Sequence, residues 1–245
     1  MIIGIIGGGF SGVSVAVQLA RQTKKNIHII LFNTYYPFAQ GVAYSTQHPM
    51  HVLNVPAGRM SFFADEPNHF VEWINKKYDE RFLSDATTRT EDAFIPRSVY
   101  GNYINDVFIE QLIFNPLVDF NLIEDTAVNV LKEENKFSIT TATGKAFSCD
   151  KIILATGNEP PEIPSFISNE MIERKIYSEN PWNAMSQKTS DENATVLLLG
   201  TGLTMIDNML SIFNHGFKGK IIAVSTKGFL PLVFRKIENR LCNSG

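Results

Sequence analysis

The opening of the chain, Met1 to Gly12, constrains its fold more than any other stretch. Ile2 to Ile6 is a short apolar run of the kind that forms a buried strand. It leads directly into Gly7, Gly9 and Gly12, a G-x-G-x-x-G spacing. Val13, Ala16, Val17 and Ala20 then recur at the helical period. Strand, glycine turn and helix in that order form the context a dinucleotide-binding turn requires. Gly7 permits the tight turn, Gly9 lets a pyrophosphate approach the bare backbone, and Gly12 lets the helix lie close to the strand. The helix start then offers unpaired N–H groups and a positive dipole end to phosphate.

The design recurs near the other end. Thr195 to Leu199 is a second apolar run, followed by Gly200-Thr201-Gly202 and a helix whose expected inner face is Ile206, Met209, Leu210 and Phe213. Met205 stands where a third glycine would be, so this helix is expected to stand off its strand or to turn Met205 away from it. Each turn is followed by another strand pattern, Asn26 to Asn33 and Lys220 to Lys227. An acidic residue about 20 positions past the last glycine would receive ribose hydroxyls. Asn33 and Lys227 stand in those places: the first can hydrogen-bond without charge, and the second favours a 2′-phosphate, hence NADP. The bland alternative for Lys227 is a solvated loop lysine.

Thr34 to Phe63 has no clear period, yet is too apolar for a linker. Its Asn54, Arg59 and Ser61 are candidates for polar contacts to a cofactor; the alternative is that they bond the loop's own backbone. Arg59 and His51 could tune charge beside a redox ring. His48 and His51 have metal-ligand spacing, but no acid or thiol nearby completes a set, so no metal is expected. Glu66 to about Glu80 reads as a helix with Phe70, Trp73, Ile74 and Tyr78 on one side. After Arg97, which could reach a phosphate or simply be solvated, a second helix carries Tyr103, Ile104, Val107, Phe108 and Leu112. From Val118 short alternating runs (Phe120–Ile123, Ala127–Leu131, Lys136–Thr141, Ala146–Phe147) predict a small antiparallel meander. Lys151 to Gly157 is a strand ending in a small-residue turn at Thr156-Gly157 that admits a close backbone or ligand. Asn158 to Asn193, with Pro181-Trp182, reads as a connection. The domains expected are therefore 1–160, a connector at 161–194, and the start of a second domain at 195–245.

Composition excludes several classes. A net charge of -3 gives no electrostatic footprint for nucleic acid. No apolar run is long enough to span a membrane, and no basic lead-in precedes the first strand, so no secretory signal is expected. The only cysteines, Cys149 and Cys242, are far apart, which fits a reducing cytoplasm rather than a disulfide scaffold, and no C-x-x-C supports thiol redox chemistry. Eighteen Phe point to a large aromatic core, or to apolar walls around a ring system.

The combination resembles the bacterial FAD/NAD(P)-binding flavoproteins with two dinucleotide-binding folds. The motifs that carry the likeness are P-x-x-x-G-V-A-Y (Pro37–Tyr44), L-N-V-P-A (Leu53–Ala57), Met60-Ser61, P-R-x-x-Y-G (Pro96–Gly101), I-L-A-T-G (Ile153–Gly157) and G-T-G-L-T-M (Gly200–Met205). Flavin monooxygenases are similar in layout. The resemblance implies an α/β, Rossmann-like fold with a parallel sheet, an antiparallel meander and the start of a second Rossmann-like unit. It implies that Gly7, Gly9, Phe10, Ser11 and Gly12 hold the FAD pyrophosphate and that Asn33 meets its ribose. By the same likeness Val128 lies by the adenine through its backbone, and Asn54 to Ser61, with Arg59 and Met60, face the flavin. Thr156 and Gly157 pass the FAD, and Gly200, Thr201, Gly202 and Leu203 take the NAD(P)H pyrophosphate. Members run on past the position of Gly245, so the chain is expected to be a C-terminally truncated member. The expected function is an FAD-dependent oxidoreductase that uses NAD(P)H to reduce the flavin, monooxygenase-like, with no catalytic side chain assigned. The alternatives are a non-catalytic FAD/NAD(P)-binding module or remnant, and an interaction protein that keeps the fold without the ligand.

Overall fold

The computed structural model describes residues 1–34, 37–78, 88–158, 162–178, 180, 191, 193–231. The chain divides into two compact units, Met1–Pro160 and Pro161–Gly245.

The first unit is built on strand β1 (Ile2–Ile6), helix α1 (Phe10–Gln22) and strand β2 (Ile27–Phe32). A four-residue helix, α2 (Gly41–Tyr44), precedes helices α3 (His69–Lys77) and α4 (Arg97–Phe108). Strands β3 (Val118–Ile123), β4 (Ala127–Lys132), β5 (Phe137–Thr141), β6 (Ala146–Cys149) and β7 (Lys151–Leu154) follow. Four of the strands form a parallel sheet in the order β3-β2-β1-β7. The central pair pairs Ile3 with Ile29 and Ile5 with Leu31.

Strand alternation sorts the side chains into two cores. Ile3, Ile5, Ile29 and Leu31 point to one face and pack with Val13, Ala16, Val17 and Ala20 of α1 and with Ile104 and Val107 of α4. Ile30 and Phe32 point to the other and pack with Ile139 and Cys149 of the antiparallel sheet β4-β5-β6. Gly4 faces the same way. A Cβ there would approach Ile139 Cδ1 at 2.6 Å and Cys149 Sγ at 2.9 Å, so the meander lies too close for a side chain. Cys149 is a free thiol, and burial pushes its pKa up.

One element departs from the sequence reading. Val118–Ile123 belongs not to the meander but to the edge of the parallel sheet, with Phe120 opposite Ile29 and Leu122 opposite Leu31. Its alternation is the same in either sheet, so only the partner strand decides. Helix α3 ends at Lys77, and Glu80, where it was expected to stop, lies outside the described residues.

Aromatic residues of α2, α3 and α4 form one cluster. Phe70 meets Tyr103 at 4.7 Å and Tyr100 at 5.0 Å between ring centroids, and Tyr100 meets Tyr44 at 4.8 Å. Tyr103 is fully buried; its hydroxyl accepts the Phe62 N–H at 3.1 Å and pairs with His69 Nδ1 at 2.8 Å. Burial pushes the Tyr103 pKa up to about 12. A phenol whose folded pKa exceeds the unfolded value, about 10, contributes stability that is intact below about pH 10 and is lost as pH rises toward about 12. Urea midpoints measured from pH 8 upward should therefore be flat at first and then fall. Tyr103→Phe should soften that fall and, by leaving the Phe62 N–H unpaired, cost about 1–3 kcal/mol at pH 8.

The second unit contains a short helix α5 (Asn169–Glu173), capped by Ser168, inside the stretch read as a connection. Strand β8 (Thr195–Leu199), helix α6 (Leu203–Asn214) and strand β9 (Lys220–Val224) follow, with β8 and β9 parallel. Pro181-Trp182 and the last stretch from residue 232 lie outside the described residues. The buried face of α6 is Met205, Asp207, Asn208 and Ser211, not the expected Ile206, Met209, Leu210 and Phe213, of which Phe213 is 51% exposed. The apolar period is real, but with two strands in the described sheet only a narrow face finds cover. The sheet likewise leaves Leu197, Leu199, Ile222 and Val224 exposed.

Candidate dinucleotide sites

In the first unit four backbone segments converge at the carboxyl ends of the strands. Gly7 follows β1 with φ +110°, and its N–H donates to Phe32 O at 3.0 Å. A Cβ on Gly7 would lie well under 3.0 Å from Ala155 O, in the segment after β7. Gly8 lies against Asn33 at the end of β2: its missing Cβ would approach Asn33 Oδ1 at 2.8 Å. Gly12 packs on Gly7 O at a distance no Cβ could share. The turn, α1, Asn33 and Thr156 are thus brought together by contacts that need three glycines. The sequence singled out Gly7 and Gly12 but not Gly8, whose role depends on Asn33 arriving beside it.

Gly9 differs from its neighbours. It caps α1 with φ -77°, an ordinary backbone conformation, and a Cβ there would touch only Gly41 Cα, at 3.5 Å. The first intrahelical bond runs from Val13 N–H to Gly9 O, so the N–H groups of Phe10, Ser11 and Gly12 precede the ladder, and no side chain caps them. Gly157 has φ +79°, and among the described residues nothing lies within 4 Å of a Cβ there.

The other expected positions sit around this turn. Phe10 packs its ring on Phe62 at 5.7 Å, which brings the loop ending in Met60-Ser61 to the helix start. The Ser61 hydroxyl is bonded within its own loop, to Phe63 O at 3.0 Å and Glu66 O at 2.6 Å. Asn54 and Arg59 are exposed, and Met60 is half-buried against the main core. Val128 is exposed at a bulge in β4; nearby Thr126 reaches Thr34, the residue after Asn33, at 3.4 Å.

The irregular stretch is strapped down by 93–97. Leu53 N–H donates to Ile95 O, Ala57 N–H to Ala93 O, and Arg97 N–H to His51 O at 2.8 Å. Arg97 Nε also donates to Val52 O at 3.0 Å. His51 is buried, its Nδ1 paired with the Thr46 hydroxyl at 2.7 Å and its ring stacked on His48 at 4.5 Å. Among the described residues no three His, Cys, Asp or Glu side chains gather as a metal set.

The second unit repeats the turn closely. Gly200 has φ +105°, and its N–H donates to Val224 O, the last residue of β9, at 2.7 Å. Gly202 caps α6 at φ -80°, ψ -172°, against φ -77°, ψ -171° at Gly9. Among the described residues no atom stands within 4 Å of a Cβ on Gly200 or Gly202. The Thr201 hydroxyl reaches Ser225 Oγ at 2.8 Å and Phe229 O at 2.6 Å, tying this turn to the segment that carries exposed Lys227. Leu203 opens α6 and is exposed. Met205 is buried, and Gly202 O accepts both the Met205 N–H at 3.0 Å and the Ile206 N–H at 3.4 Å, whereas Gly9 O accepts the Val13 N–H at 3.1 Å.

A family model described as FAD-NAD(P)-binding matches residues 4–159. No curated protein sequence is similar enough to count as a match. Among solved structures, the ornithine N-hydroxylase of Kutzneria sp. 744 aligns at 11% identity and TM-score 0.62, covering 91% of this chain and 52% of its own. Tmm from Pelagibacter sp. aligns at 18% identity and TM-score 0.58, covering 96% and 53%. A cyclohexanone monooxygenase aligns at 16% identity and TM-score 0.55, covering 90% and 37%. At these identities the likeness shows a shared fold, and the chain spans 37 to 53% of the length of these structures. No helix among the described residues is long and apolar enough to cross a membrane.

Proposed function

This chain belongs to the FAD-NAD(P)-binding family, and from that premise we propose an FAD-dependent oxidoreductase that draws its electrons from NAD(P)H, of the flavin-monooxygenase kind. Residues 1–160 form the FAD domain, 161–194 the connector and 195–245 the start of the NAD(P)H domain. When bound, the nicotinamide supplies a hydride and the flavin accepts it. The chain's own part is to bind, orient and shield. The N–H groups of Phe10, Ser11 and Gly12 take the FAD diphosphate, helped by the helix dipole. Asn33 meets the ribose, Val128 borders the adenine, and Thr156-Gly157 passes the cofactor. Asn54, Arg59, Met60 and Ser61 face the flavin, with Ser61 contributing its backbone because its hydroxyl is engaged. Gly200, Thr201, Gly202 and Leu203 take the NAD(P)H diphosphate, and Lys227 selects the 2′-phosphate of NADPH. The substrate is a small molecule, and the scarcity of cysteine in the sequence fits a reducing cytoplasm.

One observation carries this reading: among the described residues, the middle glycine of each turn meets no neighbour that a side chain there would displace. Among the described residues a Cβ at Gly9 would make an ordinary contact and one at Gly202 none, and neither position has a backbone angle that calls for glycine. At both turns the first N–H groups of the helix have no side-chain cap, and free N–H groups at a helix start suit a diphosphate.

The same observation supplies the test, because alanine at either position spares the fold. FAD and NADPH at about 100 times their dissociation constants should each stabilise the wild type by about 2.7 kcal/mol in thermal unfolding. Gly9→Ala should lose the FAD response and keep the NADPH response; Gly202→Ala should do the reverse. A wild type deaf to both nucleotides would end the proposal. Binding of both without NADPH oxidation above the free-flavin rate would leave the non-catalytic module. Lys227→Ala should narrow the preference for NADPH over NADH about tenfold, a difference of about 1.4 kcal/mol.

A further inference from the structure

A hydroxyl on α4 holds the loop that leads into α3. Tyr103, fully buried, takes the Phe62 N–H on its oxygen at 3.1 Å and lies 2.8 Å from Nδ1 of His69, the first residue of α3. A phenol has one hydrogen to give. With the Phe62 N–H directed at the oxygen, that hydrogen belongs to the His69 contact, which assigns Nδ1 as the acceptor and leaves the imidazole proton on Nε2. The chain from Phe62 N–H through Tyr103 O–H to His69 Nδ1 is therefore complete only with a neutral imidazole.

Both ends of this chain are anchored. The Phe62 ring packs on Phe10, the first residue of α1, at 5.7 Å and on Phe63 at 5.3 Å. Phe63 meets the His69 ring edge-on at 4.9 Å and lies under the Arg21 guanidinium at 4.1 Å. The His69 N–H donates to Glu66 O at 3.0 Å, and its ring is half-buried, within reach of solvent protons. The charged groups around it come from every side. Asp65 and Glu66 are both bonded to Arg21, and Glu72 lies on the first turn of the same helix. From α4, Asp106 accepts from Trp73 and Lys77, and Glu110 just beyond acts on the Tyr103 hydroxyl through space.

We infer that His69 is a positioning residue that makes the hold of Tyr103 on residues 60–63 sensitive to pH: the neutral imidazole keeps this latch closed, and the imidazolium opens it. Histidine changes charge between about pH 5 and 8. Protonation puts a hydrogen on Nδ1, so that two hydrogens face each other across the 2.8 Å contact. Tyr103 must then turn its own hydrogen aside and accept from two donors at once. The charged donor is the stronger of the two, and the Phe62 N–H loses the oxygen. Ser61, whose hydroxyl also acts on the phenol, has to take the displaced hydrogen while it accepts the Phe63 N–H, which loosens the same loop further. Because Phe62 packs on Phe10, the release reaches the start of α1. The consequence for FAD, weaker binding in acid, rests on the FAD reading of the first unit; the latch itself does not.

Magnetic resonance and amide exchange of the apoprotein test the latch without any ligand. As pH falls from about 8 to about 5.5, across the histidine range, the Phe62 amide nitrogen shift should follow the same titration curve as the His69 ring. The exchange protection of that amide should fall about fivefold, the worth of one hydrogen bond, while amides of β1 and β2 stay within about twofold. His69→Asn places a side-chain oxygen, which does not titrate in this range, where Nδ1 stands, so Phe62 protection in that variant should stay within about twofold throughout. A wild-type Phe62 amide that ignores the titration of the His69 ring overturns the inference, as does a ring that stays neutral over the whole range; both are read on the wild type alone, should the variant fail to fold. An equal loss of protection in His69→Asn overturns it as well. FAD affinity, read from fluorescence quenching as apoprotein is titrated into FAD, should weaken about threefold or more over the same range in the wild type and less than about twofold in His69→Asn. Constant FAD affinity beside a responding Phe62 amide overturns the reach of the latch to the helix start. A wild type that binds no FAD overturns the FAD reading of the first unit and leaves the amide test standing.

Discussion

Gly12→Ala is expected to destabilise the protein by about 3 kcal/mol, at the upper end of the usual cost of overpacking, and to abolish the FAD response. The added methyl would lie far inside contact distance of Gly7 O, 3.1 Å from Gly7 C and 3.3 Å from Ile5 Cγ2. The nearest two of these are backbone atoms of a turn that is itself bonded to Phe32 O. Nothing there is the loose end of a side chain, so α1 must back away from β1. That movement opens the packing of Val13, Ala16 and Val17, all fully buried, and displaces the helix start from the turn. The two losses separate in measurement: urea unfolding reports the first, and the thermal shift with FAD reports the second. A Gly12→Ala protein within about 0.5 kcal/mol of wild type, the range of a neutral surface change, would refute the close helix–strand contact. The second unit gives the contrast, since Met205 occupies the matching place and its N–H shares Gly202 O with the Ile206 N–H.

Phe70→Ala is expected to cost about 3–5 kcal/mol, the usual range for emptying a large buried aromatic site. Phe70 is fully buried and meets Tyr100, Tyr103 and Trp73 with ring centroids 5.0, 4.7 and 6.1 Å away. Each such pair adds about 0.5–1.5 kcal/mol beyond the area buried. Domains of this size are stable by about 5–15 kcal/mol in all, so the variant should unfold at a much lower urea concentration and lose near-ultraviolet dichroism. Function should suffer too. Tyr103 holds the Phe62 N–H, Phe62 packs on Phe10, and Phe10 starts α1. Phe70→Leu, which restores most of the volume, should recover about half of the loss. If Phe70→Ala unfolded at the wild-type midpoint, the aromatic cluster would not be what holds α3 and α4 to the turn.

The candidate site was legible where its chemistry is local. Gly7, Gly9 and Gly12 stand out because a turn between a strand and a helix restricts residue type within a few positions. Thr156-Gly157 is readable for the same reason, as the small-residue end of an apolar run. Gly8 and Gly41 carried no such mark. Gly8 needs its bareness because Asn33 comes to rest on it, and Gly41 because Gly9 does. A further signal for Gly41 was present in the P-x-x-x-G-V-A-Y stretch, but a motif without geometry names no neighbour. Ser61 shows the opposite limit: a hydroxyl in the loop expected to face the cofactor, already bonded to Phe63 O and Glu66 O.

From its sequence alone this chain's strands, longer helices, glycine turns and their repetition follow, because periodicity and backbone sterics act over a few residues, whereas the short helices Gly41–Tyr44 and Asn169–Glu173 carried no such period. The tertiary structure alone decided that Val118–Ile123 joins the parallel sheet, that α6 covers Met205 and Asn208 instead of its apolar stripe, and that 37–63 is strapped by 93–97. It also decided which glycines have a Cβ-sized space and which have a neighbour in it. Those outcomes depend on which distant segment arrives alongside, and alternation, stripe and glycine look the same in the sequence whichever segment that is.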